Sequence, residues 1–203
     1  NHHPDDTADI RKRRQQPAIQ AVHPLAKNID KVLVSTDDIY ERIESLGKQI
    51  SQDYAGQSLV IIGVLKGAMP FMAALIKHIT VPIVIDFVAV SSYEGGTSST
   101  GVVRFQKDVE EPLKGRHVLV VEDIVDTGLT LHYLLNTLKL REPASLEVCC
   151  LVSKPARRKI EIDVKYLGFT IPDRFIVGFG MDYEEHYRNL DYVGILSPAA
   201  IAP

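Results

Sequence analysis

Two acidic residues stand at the end of an apolar run in residues 118–130, VLVVEDIVDTGLT. The apolar residues that precede Glu122 and Asp123 are typical of a strand buried on both faces of a sheet. Carboxylates in such a place need cations, hydroxyl groups or a metal ion, because burying an unpaired charge is costly. A ligand with a diol would satisfy both of them. We therefore expect this strand end to bind the hydroxyl groups of a ligand.

The residues that follow this strand end carry groups that suit a phosphate. Thr127 and Thr130 supply hydroxyl groups, and Gly128 allows close approach to backbone amides at the start of a helix. That end of a helix carries about half a positive charge. A simpler explanation is that Asp126 or Thr127 only caps the helix, which accounts for one acid and one threonine but not for the two acids before them. A phosphate beside a ribose diol indicates a ribose 5-phosphate.

The elements that must position these residues alternate between strands and helices. Amphipathic periodicity or a first-turn proline predicts helices from Ser35, or Thr36, to Tyr54, over 69–79, and around the leucines of 131–138. The alternation indicates a Rossmann-like α/β fold, a mainly parallel sheet flanked by helices, in which ligands bind beyond the carboxyl ends of the strands. Continuous apolar runs predict the buried strands at 59–65, 81–90, 118–124 and 146–152.

The remaining segments differ in character from this alternation. Residues 1–28 are polar and aperiodic, so we expect a disordered N-terminal extension followed by one domain over 29–203. Residues 91–101, SSYEGGTSSTG, predict a long loop. The part after Lys154 predicts a small subdomain with short strands at 164–169, 175–179 and 192–196.

Composition and charge exclude several classes of protein. The 203 residues are 45% hydrophobic and 24% charged, as in an ordinary globular protein. The net charge of −3 gives no general attraction to nucleic acid or to a lipid surface. The apolar runs fall short of the roughly 20 residues that cross a bilayer, so we expect no membrane partner. Cys149 and Cys150 are adjacent in an apolar run, which predicts buried thiols and a reducing, cytoplasmic location.

Residues 118–130 resemble the phosphoribosyl pyrophosphate binding motif of the phosphoribosyltransferases. The chain from about residue 29 to residue 198 resembles the hypoxanthine-guanine members of the type I family, and Ala89 is similar to the bacterial-type branch, since some other members carry arginine there. The resemblance implies the type I fold with a small hood subdomain and a mobile lid loop. The further motifs that carry it are GVLKGAMPF, DFVAVSSY, LVSKP, GFTIPDRFIVGFGMDY and YRNL, in the family's order.

The resemblance implies an enzyme of purine salvage. It would transfer 5-phosphoribosyl from phosphoribosyl pyrophosphate to N9 of hypoxanthine or guanine, giving IMP or GMP and pyrophosphate, with Mg²⁺ as cofactor and as a homodimer or homotetramer. Two alternatives stay open at this point. One is an RNA-binding regulatory protein on the same fold, which would need a basic face, whereas the only dense basic clusters are residues 11–14 and 157–159 in a slightly acidic chain. The other is a xanthine-preferring enzyme for 6-oxopurines.

The resemblance also implies the residues that bind the purine and the ribose. Asp126 corresponds to the general base that takes the proton from purine N7. Lys154 corresponds to the donor to the 6-oxo group, which would reject adenine. Phe175 would stack on the purine, and the backbone of Ile176 would read the ring edge. Two further residues, Glu122 and Asp123, would hold the ribose hydroxyl groups directly or through Mg²⁺.

The remaining implied residues bind phosphate groups or close the site. Lys66 and Gly67 correspond to a pyrophosphate loop, for which we expect a cis peptide at Leu65–Lys66 or at Lys66–Gly67. Asp182 would ligate a second Mg²⁺, and Arg188 would contact pyrophosphate. Ser92 and Tyr93 belong to the expected lid. The residues that would wrap the 5-phosphate are Asp126, Thr127, Gly128, Leu129 and Thr130; Leu129 replaces a lysine of some members, so amides, hydroxyl groups and the helix dipole would bind the phosphate.

Overall fold

The computed structural model describes residues 23–92 and 103–201. Nine strands and three α-helices make up the described part, with short 3-10 helices at Pro24–Asn28, Ile76–His78, Pro155–Arg157 and Pro198–Ala200. The elements in chain order are β1 Ile29–Val34, α1 Thr36–Asp53, β2 Leu59–Leu65, α2 Met69–Leu75, β3 Ile83–Ser92, β4 Val103–Lys107, β5 His117–Val125, α3 Leu129–Lys139, β6 Ser145–Ser153, β7 Tyr166–Thr170, β8 Ile176–Val177 and β9 Val193–Leu196.

The larger sheet has six strands in the order β4-β3-β2-β5-β6-β7. Five of them are parallel, and β4 pairs antiparallel with β3 at one edge. The central strands β2 and β5 have neighbours on both sides, and helices cover both faces, which explains why β2 and residues 118–121 of β5 are continuously apolar. This architecture confirms the predicted α/β fold with a mainly parallel sheet.

The helices divide between the two faces of this sheet. The apolar side of α1 packs with α2 against alternate residues of β2 and β5, such as Ile61 and Leu119. The leucines of α3 pack on the opposite face against Val60, Ile62 and Val120. Ser35 caps the N-terminus of α1, because its side chain accepts a hydrogen bond from the Asp38 N–H at 3.2 Å. Ser35 is therefore the helix cap, and Thr36 is the first helical residue.

Both cysteines lie inside the larger sheet. Cys149 and Cys150 are fully buried on β6, and they face opposite cores because neighbouring strand residues point to opposite faces. Burial raises the pKa of both thiols, which keeps them protonated and unreactive. The prediction of two buried free thiols is confirmed.

A second, antiparallel sheet of three strands forms the hood, in the order β1-β9-β8. The sequence predicted β8 and β9 approximately, but it did not predict that β1 joins them from the other end of the chain. The 3-10 helix Pro24–Asn28 packs on this sheet, and Asn28 Nδ2 donates to Tyr187 Oη at 2.9 Å. Residues 24–28 thus belong to the fold, and the expected boundary after residue 28 is too late. Residues 1–22 lie outside the described residues.

Several predicted boundaries need correction. The helix expected over 69–79 is an α-helix only as far as Leu75, where a 3-10 turn takes over. Strand β3 begins at residue 83 rather than 81 and extends to Ser92, because Ser91 and Ser92 pair with β4. The predicted loop therefore starts too early, and β4 is a strand that the sequence did not reveal. None of the described helices is long and apolar enough to cross a membrane.

Candidate active site

The end of β5 carries two adjacent carboxylates. Glu122 Oε1 accepts a hydrogen bond from the Asp123 N–H at 3.2 Å, and Asp123 Oδ1 accepts one from the Ile124 N–H at 2.7 Å. Burial and the neighbouring Asp123 raise the pKa of Glu122 well above its usual value. Burial raises the pKa of Asp123 as well, although the positive charge of Arg188 opposes this. The pair is buried with two neighbouring carboxylates, and a bound cation or the hydroxyl groups of a diol would stabilise their charged forms.

The turn after β5 is shaped around a glycine. Gly128 has φ of +85°, and a Cβ atom there would lie 2.8 Å from the carbonyl oxygen of Ile160. The Thr127 carbonyl accepts hydrogen bonds from the Lys159 and Ile160 N–H groups at 2.9 and 3.3 Å. Residues 159–160 therefore hold this turn in place, and Leu129 and Thr130 begin α3 directly after it.

One cavity collects most of the residues predicted for the ribose 5-phosphate. Its volume is about 150 Å³. It lies at the carboxyl end of β5 and the start of α3, where a parallel sheet places its ligands. The lining consists of Glu122, Ile124, Val125, Asp126, Thr127, Gly128, Thr130 and Leu131.

Asp126 forms an ion pair that the sequence did not predict. Its Oδ1 lies 2.9 Å from Arg157 Nε. This oxygen is buried, and no group in the described part of the chain donates a hydrogen bond to it. Arg158 Nε donates to the Asp126 carbonyl oxygen at 3.0 Å. The backbone of Asp126 is therefore fixed, while Oδ1 keeps its capacity to accept a proton.

Lys154 lies beside Asp126, because β6 is the parallel neighbour of β5. The backbone N–H of Lys154 donates to the Val125 carbonyl at 2.9 Å, and the residue is 7% exposed. Burial lowers the pKa of Lys154, and the negative charges of Asp126 and Asp173 oppose this shift. A lysine held in this way needs an acceptor, which a carbonyl group on a ligand would provide.

Phe175 and Ile176 lie at the start of β8. The Phe175 side chain is 42% exposed and meets the Tyr183 ring edge to face, with 5.6 Å between the ring centroids. Ile176 is buried and pairs with Ile195 of β9. An exposed aromatic ring on a fixed strand is available to stack on a flat ligand.

The turn after β2 contacts both the carboxylate pair and the hood. The Leu65–Lys66 peptide bond is cis, as the first of the two expected sites. A Cβ atom on Gly67 would overlap the Asp123 carboxylate, and one on Gly180 would overlap the Gly67 carbonyl. Arg188 Nη1 donates to the Gly180 carbonyl at 2.7 Å. Gly67 and Gly180 thus allow the end of β5, the turn after β2 and the hood to approach one another beside Asp123.

Lys66 and Arg188 line a second, larger cavity of about 490 Å³ on the hood side. Lys66 Nζ lies 3.0 Å from Glu185 Oε2, and Arg188 Nη2 lies 3.2 Å from Glu185 Oε1. Asp182 Oδ2 accepts a hydrogen bond from the Glu185 N–H at 2.9 Å and lies 3.5 Å from Arg188 Nη2. Both predicted pyrophosphate cations are thus side by side.

The predicted metal ligands lie in two places. Within residues 23–92 and 103–201, no three histidine, cysteine or acidic side chains come together as a metal site. Mg²⁺ is usually held by one or two carboxylates together with substrate phosphates. The desolvated pair of Glu122 and Asp123, with its raised pKa values, fits such an ion, and Asp182 is a separate carboxylate at the hood.

The structure does not bring every predicted residue to these cavities. Ser92 ends β3, and Tyr93 and the rest of the expected lid lie outside the described residues. Several further predicted residues line neither cavity, although Lys154 adjoins Asp126: Gly67, Asp123, Leu129, Lys154, Phe175, Ile176 and Asp182. The sequence interpretation missed Arg157, Arg158, Gly180 and Glu185. For the two arginines the signal was the basic run 157–159, which the sequence interpretation considered only in weighing the RNA-binding alternative.

Known proteins resemble this chain over nearly its whole described length. The profile of the phosphoribosyl transferase domain matches residues 33–184. The hypoxanthine-guanine phosphoribosyltransferase of Streptococcus pneumoniae is 52% identical over 172 residues, which cover 85% of this chain and 96% of that protein. The enzyme of the same name from Lactococcus lactis is 50% identical over 174 residues, 86% of this chain and 94% of that protein.

A solved structure has a similar fold. The crystal structure of a hypoxanthine phosphoribosyltransferase from Staphylococcus aureus matches with a TM-score of 0.88 and 43% sequence identity. The match covers 91% of this chain and 100% of that one. The fold, the domain profile and the relatives agree, and the chain therefore belongs to the hypoxanthine-guanine phosphoribosyltransferase family of type I phosphoribosyltransferases.

Proposed function

We propose that this chain is a purine salvage enzyme that transfers 5-phosphoribosyl from phosphoribosyl pyrophosphate to N9 of hypoxanthine or guanine. The products are IMP or GMP and pyrophosphate. The observation that carries this proposal is the carboxylate pair Glu122 and Asp123 at a strand end, next to the glycine-centred turn that begins α3. Relatives that carry the name of this activity support it.

The ribose and its phosphate bind along the end of β5. Glu122 and Asp123 accept hydrogen bonds from the ribose hydroxyl groups, which offsets the burial and the repulsion by Asp123 that raise the pKa of Glu122. The 5-phosphate lies against Thr127, Gly128 and Thr130, where hydroxyl groups and the positive end of α3 face the cavity. The site therefore holds C1 of the ribose near the carboxyl ends of β5 and β6.

The purine binds between the end of β6 and the hood. Lys154 donates to the 6-oxo group, and Phe175 stacks on the ring, while the backbone at Ile176 reads its edge. As N9 forms its bond to C1 and the bond from C1 to the pyrophosphate oxygen breaks, Asp126 Oδ1 accepts the proton from N7. Adenine would present a donor to the Lys154 ammonium group, so it is rejected.

The leaving pyrophosphate lies at the turn after β2, where Lys66 and Arg188 neutralise its charge. Mg²⁺, when bound by Glu122 and Asp123 and by Asp182, would supply further neutralisation of the pyrophosphate. The predicted lid, with Ser92 and Tyr93, would exclude water from the ribosyl centre. These residue roles are our proposal for this chain.

The direct test offers the purified protein phosphoribosyl pyrophosphate and Mg²⁺ with hypoxanthine, guanine, xanthine or adenine, and follows nucleotide formation by chromatography. We expect IMP and GMP and no AMP. Formation of XMP in preference to both would favour the xanthine alternative, which the names of the relatives do not support. Absence of all nucleotides under conditions where the protein is folded would contradict the proposal.

The names of the relatives do not support the RNA-binding alternative. Of its basic residues, Arg157 pairs with Asp126 and Arg158 donates to backbone carbonyls of the site, and residues 11–14 lie outside the described residues. We further propose that the enzyme is a homodimer or homotetramer of the cytoplasm. Light scattering of the purified protein will test the number of subunits.

A further inference from the structure

One carboxylate bridges the two cations that we assign to the leaving pyrophosphate. Glu185 Oε2 lies 3.0 Å from Lys66 Nζ, and Glu185 Oε1 lies 3.2 Å from Arg188 Nη2. Building on the proposed function, we propose that Glu185 is a displaceable counter-ion that holds Lys66 and Arg188 together between turnovers, and that pyrophosphate takes its place. Glu185 is then a positioning residue, because it acts through the two cations and not on the reacting atoms.

The exposure of these side chains suits a reversible contact. The side chains of Lys66 and Glu185 are 70% and 62% exposed, so water screens their attraction and the pair is weak. Pyrophosphate carries several negative charges and more acceptor oxygens than one carboxylate, so it forms the stronger charge-assisted hydrogen bonds. The cations therefore exchange Glu185 for pyrophosphate without the cost of breaking a buried pair.

The hood places Glu185 for this role through its backbone. Glu185 and its neighbours Glu184 and Tyr187 have φ of 67°, 49° and 76°, which side chains rarely adopt unless the surrounding structure holds them. The Glu185 N–H donates to Asp182 Oδ2 at 2.9 Å, which fixes the turn. The carboxylate thus reaches across from the hood to the turn after β2.

Arg188 stays oriented when Glu185 leaves. Its Nη1 donates to the Gly180 carbonyl at 2.7 Å, and only Nη2 is shared with Glu185 and Asp182. Release of Glu185 therefore exposes a guanidinium nitrogen that already has its direction. Lys66 has a flexible side chain and can follow the incoming anion.

The test compares Glu185→Gln with the matched control Glu184→Gln. Glu184 is the exposed neighbour in the same turn, and its carboxylate forms no salt bridge within residues 23–92 and 103–201. We expect Glu185→Gln to bind magnesium pyrophosphate about two- to tenfold more tightly by calorimetry, because competition by a weak exposed pair is removed. The KM for pyrophosphate in the reverse reaction from IMP should fall by the same factor. Glu184→Gln should match the wild type in both measurements.

A double substitution tests whether Glu185 affects pyrophosphate affinity through Lys66. In a Lys66→Gln background, Glu185→Gln should produce a smaller gain in pyrophosphate affinity, because one of the two paired cations is gone. Unchanged or weaker binding by Glu185→Gln would overturn the inference while leaving the enzyme's function intact. Failure of the wild-type protein to bind magnesium pyrophosphate would instead contradict the proposed function and, with it, this inference.

Discussion

Asp126 combines a fixed backbone with an oxygen that no described group hydrogen-bonds. Arg158 holds its carbonyl, while Oδ1 lies near Arg157 without hydrogen-bond alignment. A proton acceptor in this state does not have to break a hydrogen bond before it receives the purine proton.

Asp126→Asn should therefore lower turnover far more than substrate binding. An amide cannot accept the N7 proton, and loss of a general base costs roughly 10²–10⁴-fold in rate. We expect kcat to fall by about this factor, with the Kd of phosphoribosyl pyrophosphate changed by no more than about threefold. Asp163→Asn, an exposed aspartate, is the matched control. An unchanged kcat in Asp126→Asn would contradict the assignment.

Lys154→Met should abolish most use of 6-oxopurines without loss of stability. The variant keeps the length of the buried side chain but removes the donor to the 6-oxo group, and we expect kcat/KM for hypoxanthine to fall on the order of 10³-fold. The lysine has a pKa lowered by burial, so removing its charge does not destabilise the fold, and thermal melting should show an equal or higher midpoint. Lys159→Met is the control, and full activity of Lys154→Met would refute the role.

Single residues of the site differ in how well the sequence reveals them. Glu122 and Asp123 were predictable as ligand-binding residues, because two carboxylates at the end of a buried apolar run are costly unless they bind a partner. The pairing of Arg157 with Asp126, and of Glu185 with Lys66, was not predictable, because each joins segments that the fold brings together from distant parts of the chain. The sequence has glutamate at both 184 and 185, so it does not distinguish Glu185, which forms the ion pair, from Glu184.

At the scale of elements, the carboxylate pair makes the end of β5 sensitive to pH. Because the folded pKa of Glu122 lies above its unfolded value, its favourable contribution to stability is present at low pH and is lost as pH rises through the folded pKa. Without ligands, Glu122→Gln should melt at a higher temperature than the wild type near about pH 8, and this advantage should disappear near about pH 4. A pH-independent difference between the melting curves would contradict this account.

Packing between the turn after β2 and the hood depends on Gly180. A Cβ atom there would overlap the Gly67 carbonyl, and Gly180 has φ of +97°. We expect Gly180→Ala to lower the free energy of unfolding by about 1–3 kcal/mol and to weaken pyrophosphate binding. Gly115→Ala is a matched control, since φ is +71° there but no atom lies within 4 Å of the added Cβ. Equal effects of both substitutions in denaturant titrations would show that backbone strain alone is responsible.

Elements were predictable where local sequence determines burial. Strand β2 is apolar throughout, and β5 and β6 each contain an apolar run, because both faces of the sheet are covered; α1 has a clear amphipathic period. Strand β1, IDKVLV, mixes exposed and buried positions, and its partner β9 lies near the other end of the chain. Such an edge strand is defined by its pairing, which composition does not show. The division into residues 1–28 and 29–203 otherwise stays a prediction.

At the scale of the whole molecule, ligand binding should couple the larger sheet to the hood. IMP would contact β5, β6 and β8, so it stabilises the assembled arrangement against unfolding. At about 100 times its Kd, IMP should add about 2.7 kcal/mol to the free energy of unfolding. For a chain of this size that corresponds to a rise of roughly 5–10 °C in Tm. AMP at the same concentration should raise the midpoint less, because it keeps the ribose 5-phosphate but lacks the 6-oxo acceptor for Lys154, and an equal rise with AMP would contradict the assigned purine selectivity.

The pairing of β1 with β9 has a consequence for the order in which the protein is made. A nascent chain leaves the ribosome N-terminus first, so β1 emerges long before β9. Among the described strands, β9 is the one with which β1 pairs. The helices and strands between them can assemble once the chain has been made as far as β7, since β2 pairs with β5 and Arg42 of α1 donates to the Leu167 carbonyl of β7. The surface that carries Phe175 and Arg188 includes β9, so it is completed only after Val193–Leu196 has been synthesised.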